Sequence, residues 1–174
     1  DALCVYRGDK NSRAYKWYRR MNYHPISNII SLKKSLADKH RYNNAIIINN
    51  IPEIQNSAKK LLKCFQLSTF QFGGFPTRKI DYWEKAFTAH YYKSSYKFTI
   101  LALPSDSNID FLAYAMLGVT SMRDGILRLE ILEFVSCDNT SQNLLHDSIE
   151  QYALKMKSNE LRVQVLNQEY LNRW

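Results

Sequence analysis

No apolar run in this sequence approaches the ~20 residues needed to span a bilayer, so no membrane-spanning helix is expected. Cysteine is scarce. Cys4, Cys64 and Cys137 are odd in number and lack metal-type spacing, which leaves reduced thiols and a cytoplasmic location as the expectation. His24, His40, His90 and His146 have no ligand spacing either, and no metal centre is expected. A nucleotide loop and a nucleic-acid motif are both missing. So is a signal-peptide pattern, and the chain opens on Asp1 rather than Met, which suggests a trimmed or excised product.

What is present belongs to a folded protein. The 174 residues suit one ordinary domain, or one domain plus a fragment. Hydrophobic residues make up 45%, enough for a real core, and 12 tyrosines argue against disorder. The net charge is +8. Its only clusters are Lys33-Lys34, Lys39-His40-Arg41, and Lys59-Lys60 with Lys63. Such scatter reads as the solvated face of helices, so nucleic acid is not an expected partner.

Near the start, Ala14, Trp17, Tyr18 and Met21 fall on one face of a helix. Asn11 or Ser12 can cap it, and Arg19 and Arg20 suit its last turn. Asn22 tolerates the left-handed conformation that ends a helix. Leu3 to Tyr6 is a strand candidate just before. Residues 26–44 are ambiguous: Ile29, Leu32 and Leu36 allow a short helix, but the segment is polar and rich in Asn. Ala45 to Ile48 reads as a short buried strand, and Ala58, Leu61, Leu62 and Phe65 as a helix. Two glycines and a proline at 73–76 mark a break, where the main boundary is expected.

Beyond it, Tyr82, Trp83, Ala86, Phe87 and His90 repeat at helical spacing. Three strands follow, at Lys97–Leu103, Phe111–Val119 and Leu127–Ser136. A Pro-Ser-Asp-Ser-Asn turn joins the first two, and Asp124-Gly125 signals a hairpin between the second and third. A helix over 140–157 carries Leu144, Leu145, Ile149, Tyr152, Ala153 and Met156 on one face. Leu161–Leu166 is a last strand, and Glu169–Trp174 starts another helix. The fold class is α+β. There is also an internal echo: residues 5–18 and 165–174 both pass from a strand through Asn (Asn11, Asn167) into an aromatic-rich helix (Tyr18, Trp174).

Asn11, Ala14, Tyr18, Asn22 and Tyr23 follow N-x-x-A-x-x-x-Y-x-x-x-G-[FY], with Asn in place of the glycine. The segment resembles the closing motif of the GNAT superfamily of acyl-CoA N-acyltransferases. Residues 78–174, with Arg78-x-x-x-Tyr82-Trp83, a three-strand meander, a helix and a strand, resemble a second GNAT core. They look most like the second domain of tandem GNAT proteins, including those of the enhanced-intracellular-survival type. The resemblance implies a largely antiparallel mixed sheet flanked by helices. Residues 1–25 would be the last strand and helix of an upstream domain, 26–77 a tail and linker with a helix, and 78–174 the second domain.

The resemblance also implies roles. Tyr18 would protonate the departing CoA thiolate, and Asn11 would lie near the CoA arm; an aromatic packed on the sheet is the structural alternative for Tyr18. Acetyl-CoA or another acyl-CoA would be the co-substrate, and a small-molecule or peptide amine the acceptor. A homo-oligomer is compatible with the same reading. The second domain departs from the family at the phosphate loop [QR]-x-x-G-x-[GA]: Ser136, Asn139 and Ser141 replace the arginine and both glycines, and Asp138 adds negative charge. No acyl-CoA is therefore expected on residues 78–174. Glu130 and Glu133, three apart on one strand, are expected on opposite faces; Glu133 is a candidate general base for the amine, against the alternative of a paired carboxylate. The expected function is acyl transfer by the parent protein, with this part structural or substrate-shaping. The other reading is a non-catalytic binding or scaffolding module for an acidic partner.

Overall fold

The computed structural model describes residues 13–21, 30–36, 45–70, 77–83, 97–106, 110–121, 127–158 and 160–165. The elements in chain order are α1 (Arg13–Arg20), β1 (Ile30–Ser35), β2 (Ile46–Ile48), α2 (Ile51–Thr69), β3 (Lys97–Pro104), β4 (Phe111–Ser121), β5 (Leu127–Ser136), α3 (Asn139–Lys155) and β6 (Glu160–Val165). The six strands form one sheet in the order β1-β6-β5-β4-β3-β2. Every neighbouring pair is antiparallel except β5 and β6, which run parallel. Parallel neighbours need a crossover, and α3 supplies it.

Helices α2 and α3 cover opposite faces of the sheet. On β3, Ile100 and Ala102 join Ile54, Ala58, Leu61, Cys64 and Phe65 of α2 in one core. Leu101 and Leu103 join Leu145, Ile149, Tyr152 and Ala153 of α3 in the other. The period of two along a strand sorts these residues. Because β3 and β4 are covered on both sides, they read in sequence as almost continuous apolar runs. Leu144 on α3 and Met156 at its C-cap stay on the exposed side, at 51% and 37%, so the buried stripe is narrower than its sequence pattern suggests.

Local chemistry sets the helix starts. Asn50 caps α2 by accepting from the Glu53 amide at 3.0 Å, with Pro52 in the first turn, where a missing N–H costs nothing. These signals lengthen the helix well upstream of Ala58, where the apolar spacing first shows it.

Within 26–77, expected as a tail and linker with a helix, the described residues supply β1, β2 and α2. β1 pairs with β6 from Ile30↔Val165 to Ser35↔Glu160, and β2 pairs with β3 from Ile46↔Ala102 to Ile48↔Ile100. Among the described residues both edges of the sheet therefore come from before the Gly-Pro break, and the sheet does not respect a boundary at 72–78. Residues 30–35 also correct the short-helix option: backbone pairing with β6 sets them as a strand, whatever their weak helical spacing.

A register shift between Met116 and Leu117 of β4 changes what β5 presents. Met116 lies opposite Glu133, while Leu117 lies opposite Ile131, so Leu132 is an extra residue. Leu129 and Ile131 consequently face α3, whereas Val135 joins the α2 core. Glu130 opposite Gly118 and Glu133 opposite Met116 share one face of the sheet. The expectation that they face opposite sides is corrected, because a bulge adds the residue that alternation alone cannot count.

The helix expected near the start is present as α1, with Arg19 and Arg20 in its last turn. Trp17 and Met21 are 54% and 53% exposed. The strand at Leu3–Tyr6, the Asp124-Gly125 turn, the helix beyond Trp83 and the echo at 167–174 lie outside the described residues. No described helix is long and apolar enough to cross a membrane.

Candidate functional site

Two features lie near the carboxyl end of β5. The first is the start of α3. The parallel register of β5 with β6 runs from Arg128↔Glu160 to Ile131↔Val163, while β5 itself continues to Ser136. Crevices beyond the carboxyl ends of parallel strands are where open sheets take ligands, and helix N-termini there favour anions.

In this chain the helix start is closed from within. Asp138 caps α3, and its Oδ1 accepts from the Ser141 amide at 2.7 Å. In return, Ser141 Oγ accepts from the Asp138 amide at 3.3 Å. The Gln142 amide donates to the Asp138 carbonyl at 3.0 Å. Ser141 is buried, at 1% exposure, so its hydroxyl belongs to the cap. An incoming phosphate would meet a carboxylate where it needs donors. Among the described residues no cluster of three or more His, Cys, Asp or Glu could hold a metal.

The second feature is an ion pair between the α2 layer and the sheet. Arg78 Nη1 and Nη2 donate to Glu133 Oε1 and Oε2 at 2.7 and 2.5 Å. The Tyr114 hydroxyl donates to Oε1 as well. Three of about four acceptor positions on this carboxylate are thus taken. The Arg78 guanidinium also lies 4.2 Å from the Phe65 ring centre, 4.4 Å from that of Tyr82 and 5.6 Å from that of Trp83. Trp83 and Tyr114 meet edge to face at 5.6 Å. Both ion-pair side chains are largely buried, at 14% and 17% exposure.

The electrostatics follow from this packing. Burial works against the Arg78 charge, but hydrogen bonds and charge from Glu133 hold its pKa above the ordinary value. Burial raises the Tyr114 phenol far above its usual range, and the Glu133 charge raises it further. Burial likewise pushes up Cys64, helped by Cys137. The arrangement keeps a cation fixed under aromatic rings and keeps its anion occupied.

Of the site residues named from sequence, the structure places Glu133 in this cluster. Tyr18 falls within α1, and Asn11 lies outside the described residues. Arg78, Tyr82 and Trp83 are visible in sequence as one helical turn of spacing, but their gathering around Glu133 is not. Tyr114 carries no sequence signal beyond sitting in an apolar strand.

The fold is similar to that of several solved acyltransferases. A GCN5-related N-acetyltransferase from Anabaena variabilis ATCC 29413 aligns over 92% of this chain and 39% of its own, with TM-score 0.62 and 11% identity. The fold is GNAT-like. A probable acetyltransferase aligns over 74% of this chain and 83% of its own, with TM-score 0.56 and 10% identity. Saccharomyces cerevisiae N-myristoyltransferase, solved with bound myristoyl-CoA, aligns over 80% of this chain and 36% of its own, with TM-score 0.51 and 6% identity. At these identities the likeness is one of fold alone. No family model matches the sequence. No curated protein matches it in sequence.

Proposed function

We propose that this chain is the C-terminal portion of a GNAT-fold N-acyltransferase that moves an acyl group from acyl-CoA to an amine. Within it, the β1–β6 sheet with its covering helices, which includes the expected second domain at 78–174, shapes the substrate pocket or holds the architecture, and the chemistry belongs to an upstream domain. One observation carries this reading: the helix start at the end of β5 is capped by Asp138 and Ser141, where an acyl-CoA phosphate would need open donors. The GCN5-related N-acetyltransferase from Anabaena variabilis is consistent with it, since this chain matches 39% of that longer protein.

The reaction would be attack of a neutral amine on the thioester carbonyl, followed by loss of the CoA thiolate. Tyr18 would give that thiolate its proton, with Asn11 beside the CoA arm. Glu133 is poorly suited to take the amine proton, because Arg78 and Tyr114 already donate to it. In a longer protein carrying the upstream domain, Tyr18→Phe keeps the ring and removes the donor. The turnover number is expected to fall by ~10² to 10⁴-fold, with little change in KM for acyl-CoA. Unchanged turnover would leave Tyr18 a packing residue.

The net charge of +8 favours a second reading, a scaffold of the same fold that binds an acidic partner. Salt-dependent retention on anionic polymers, with no acyl transfer by the longer protein, would select it.

A further inference from the structure

We propose that Cys64 and Cys137 form a reversible disulfide that staples α2 to the turn between β5 and α3. Their sulfurs lie 3.9 Å apart although the residues are 73 positions apart in sequence. Bond formation asks the sulfurs to close by about 2 Å. Both ends are held. Cys64 sits on the buried face of α2, and the Cys137 amide donates to the Leu112 carbonyl at 2.9 Å. Ser68, one turn after Cys64 on α2, spans the two: its hydroxyl donates to the Cys64 carbonyl at 2.9 Å, and its oxygen lies 3.7 Å from Cys137 Sγ.

The pair is asymmetric in a way that orders the chemistry. Cys137 is exposed and Cys64 is buried behind it. A small disulfide such as oxidised glutathione reaches Cys137 first. The Cys137 thiolate attacks one sulfur of the reagent, a mixed disulfide forms, and one glutathione thiolate leaves and takes up a proton. Cys64 then loses its proton and attacks the Cys137 sulfur, so the Cys64–Cys137 bond forms and the second glutathione thiolate departs and is protonated. Two protein thiols are oxidised and one reagent disulfide is reduced to two thiols. Dithiothreitol reverses the sequence.

The staple's position gives it a consequence. Cys137 directly precedes Asp138, the cap of α3. Cys64 directly precedes Phe65, whose ring lies 4.2 Å from the Arg78 guanidinium, so the bond would close near the Arg78–Glu133 pair. Oxidation thus ties together the two features of the candidate site.

The test uses the full chain, incubated anaerobically with oxidised glutathione and mapped by non-reducing peptide mass spectrometry. The expected result is a Cys64–Cys137 cross-link, loss of the Cys64 and Cys137 thiols and recovery of both with dithiothreitol. Cys4→Ser should leave the cross-link intact. Cys137→Ser, an exposed and structurally mild change, should abolish it. A stable glutathione adduct on Cys137 with Cys64 still reduced, or a cross-link that runs through Cys4, overturns the proposal.

Discussion

Arg78 and Glu133 meet as two parallel hydrogen bonds, guanidinium to carboxylate, at 2.7 and 2.5 Å, between an irregular segment and a bulged strand 55 residues away. The bulge at Leu132 is what points Glu133 at Arg78, since unbroken alternation would send it toward α3. Removing one partner leaves the other charge largely desolvated. Arg78→Ala or Glu133→Gln should therefore destabilise the chain by about 3 kcal/mol, the low end for buried pairs because both side chains keep some solvent contact. Replacing both by apolar residues should cost clearly less than the sum of the single changes. Urea unfolding of the three variants checks this; additive losses would show that the pair is not a unit.

The cap on α3 makes a separable prediction. Asp138→Ala removes the acceptor for the Ser141 amide and should cost about 1 kcal/mol. Asp138→Asn keeps an acceptor and loses only the charge, so its cost should be a few tenths of a kcal/mol by comparison. Equal losses in thermal or urea melts would mean that the charge, not the hydrogen bond, holds the helix start.

Alkaline pH should weaken the fold. Cys64 and Tyr114 have pKa values raised by burial above their ordinary 9.0 and 10.0. A raised folded pKa means that the unfolded chain ionises first, so the stability present below pH 9 is lost as pH rises. The loss should begin near pH 9 with Cys64 and steepen near pH 10 with Tyr114, each contributing up to about 1.4 kcal/mol per pH unit. Tyr114→Phe should flatten the steeper limb while lowering stability at neutral pH, because Glu133 loses a donor. A flat stability profile from pH 8 to 10.5 in the unaltered chain would contradict the buried placement of both groups.

The meander and its crossover helix are legible in sequence because their signals are local. Apolar runs mark β3 and β4, turn residues separate them, and a long stripe marks α3. β1 is not legible: a polar six-residue segment becomes a strand only through pairing with β6, far away in the chain. The bulge is hidden for a related reason. Strand patterning reports alternation, and Leu132 breaks it with another apolar residue. Half of the candidate site can be read directly, since Asp138 and Ser141 announce by residue type a capped helix start, and Ser136, Asn139 and Ser141 show that it lacks the bare glycines a phosphate loop would use. The other half cannot, because the pairing of Arg78 with Glu133 is a product of tertiary packing, and neither residue is unusual where it stands.

The start of α3 is proposed to be closed to an acyl-CoA phosphate. The direct measurement is calorimetric titration of the full chain with acetyl-CoA at low ionic strength. No saturable heat is the expected result, and Asp138→Asn alone should not create any, because Asn139 still replaces the glycine that close backbone approach requires. Saturable micromolar binding to the unaltered chain, lost on Asn139→Trp, would contradict the claim.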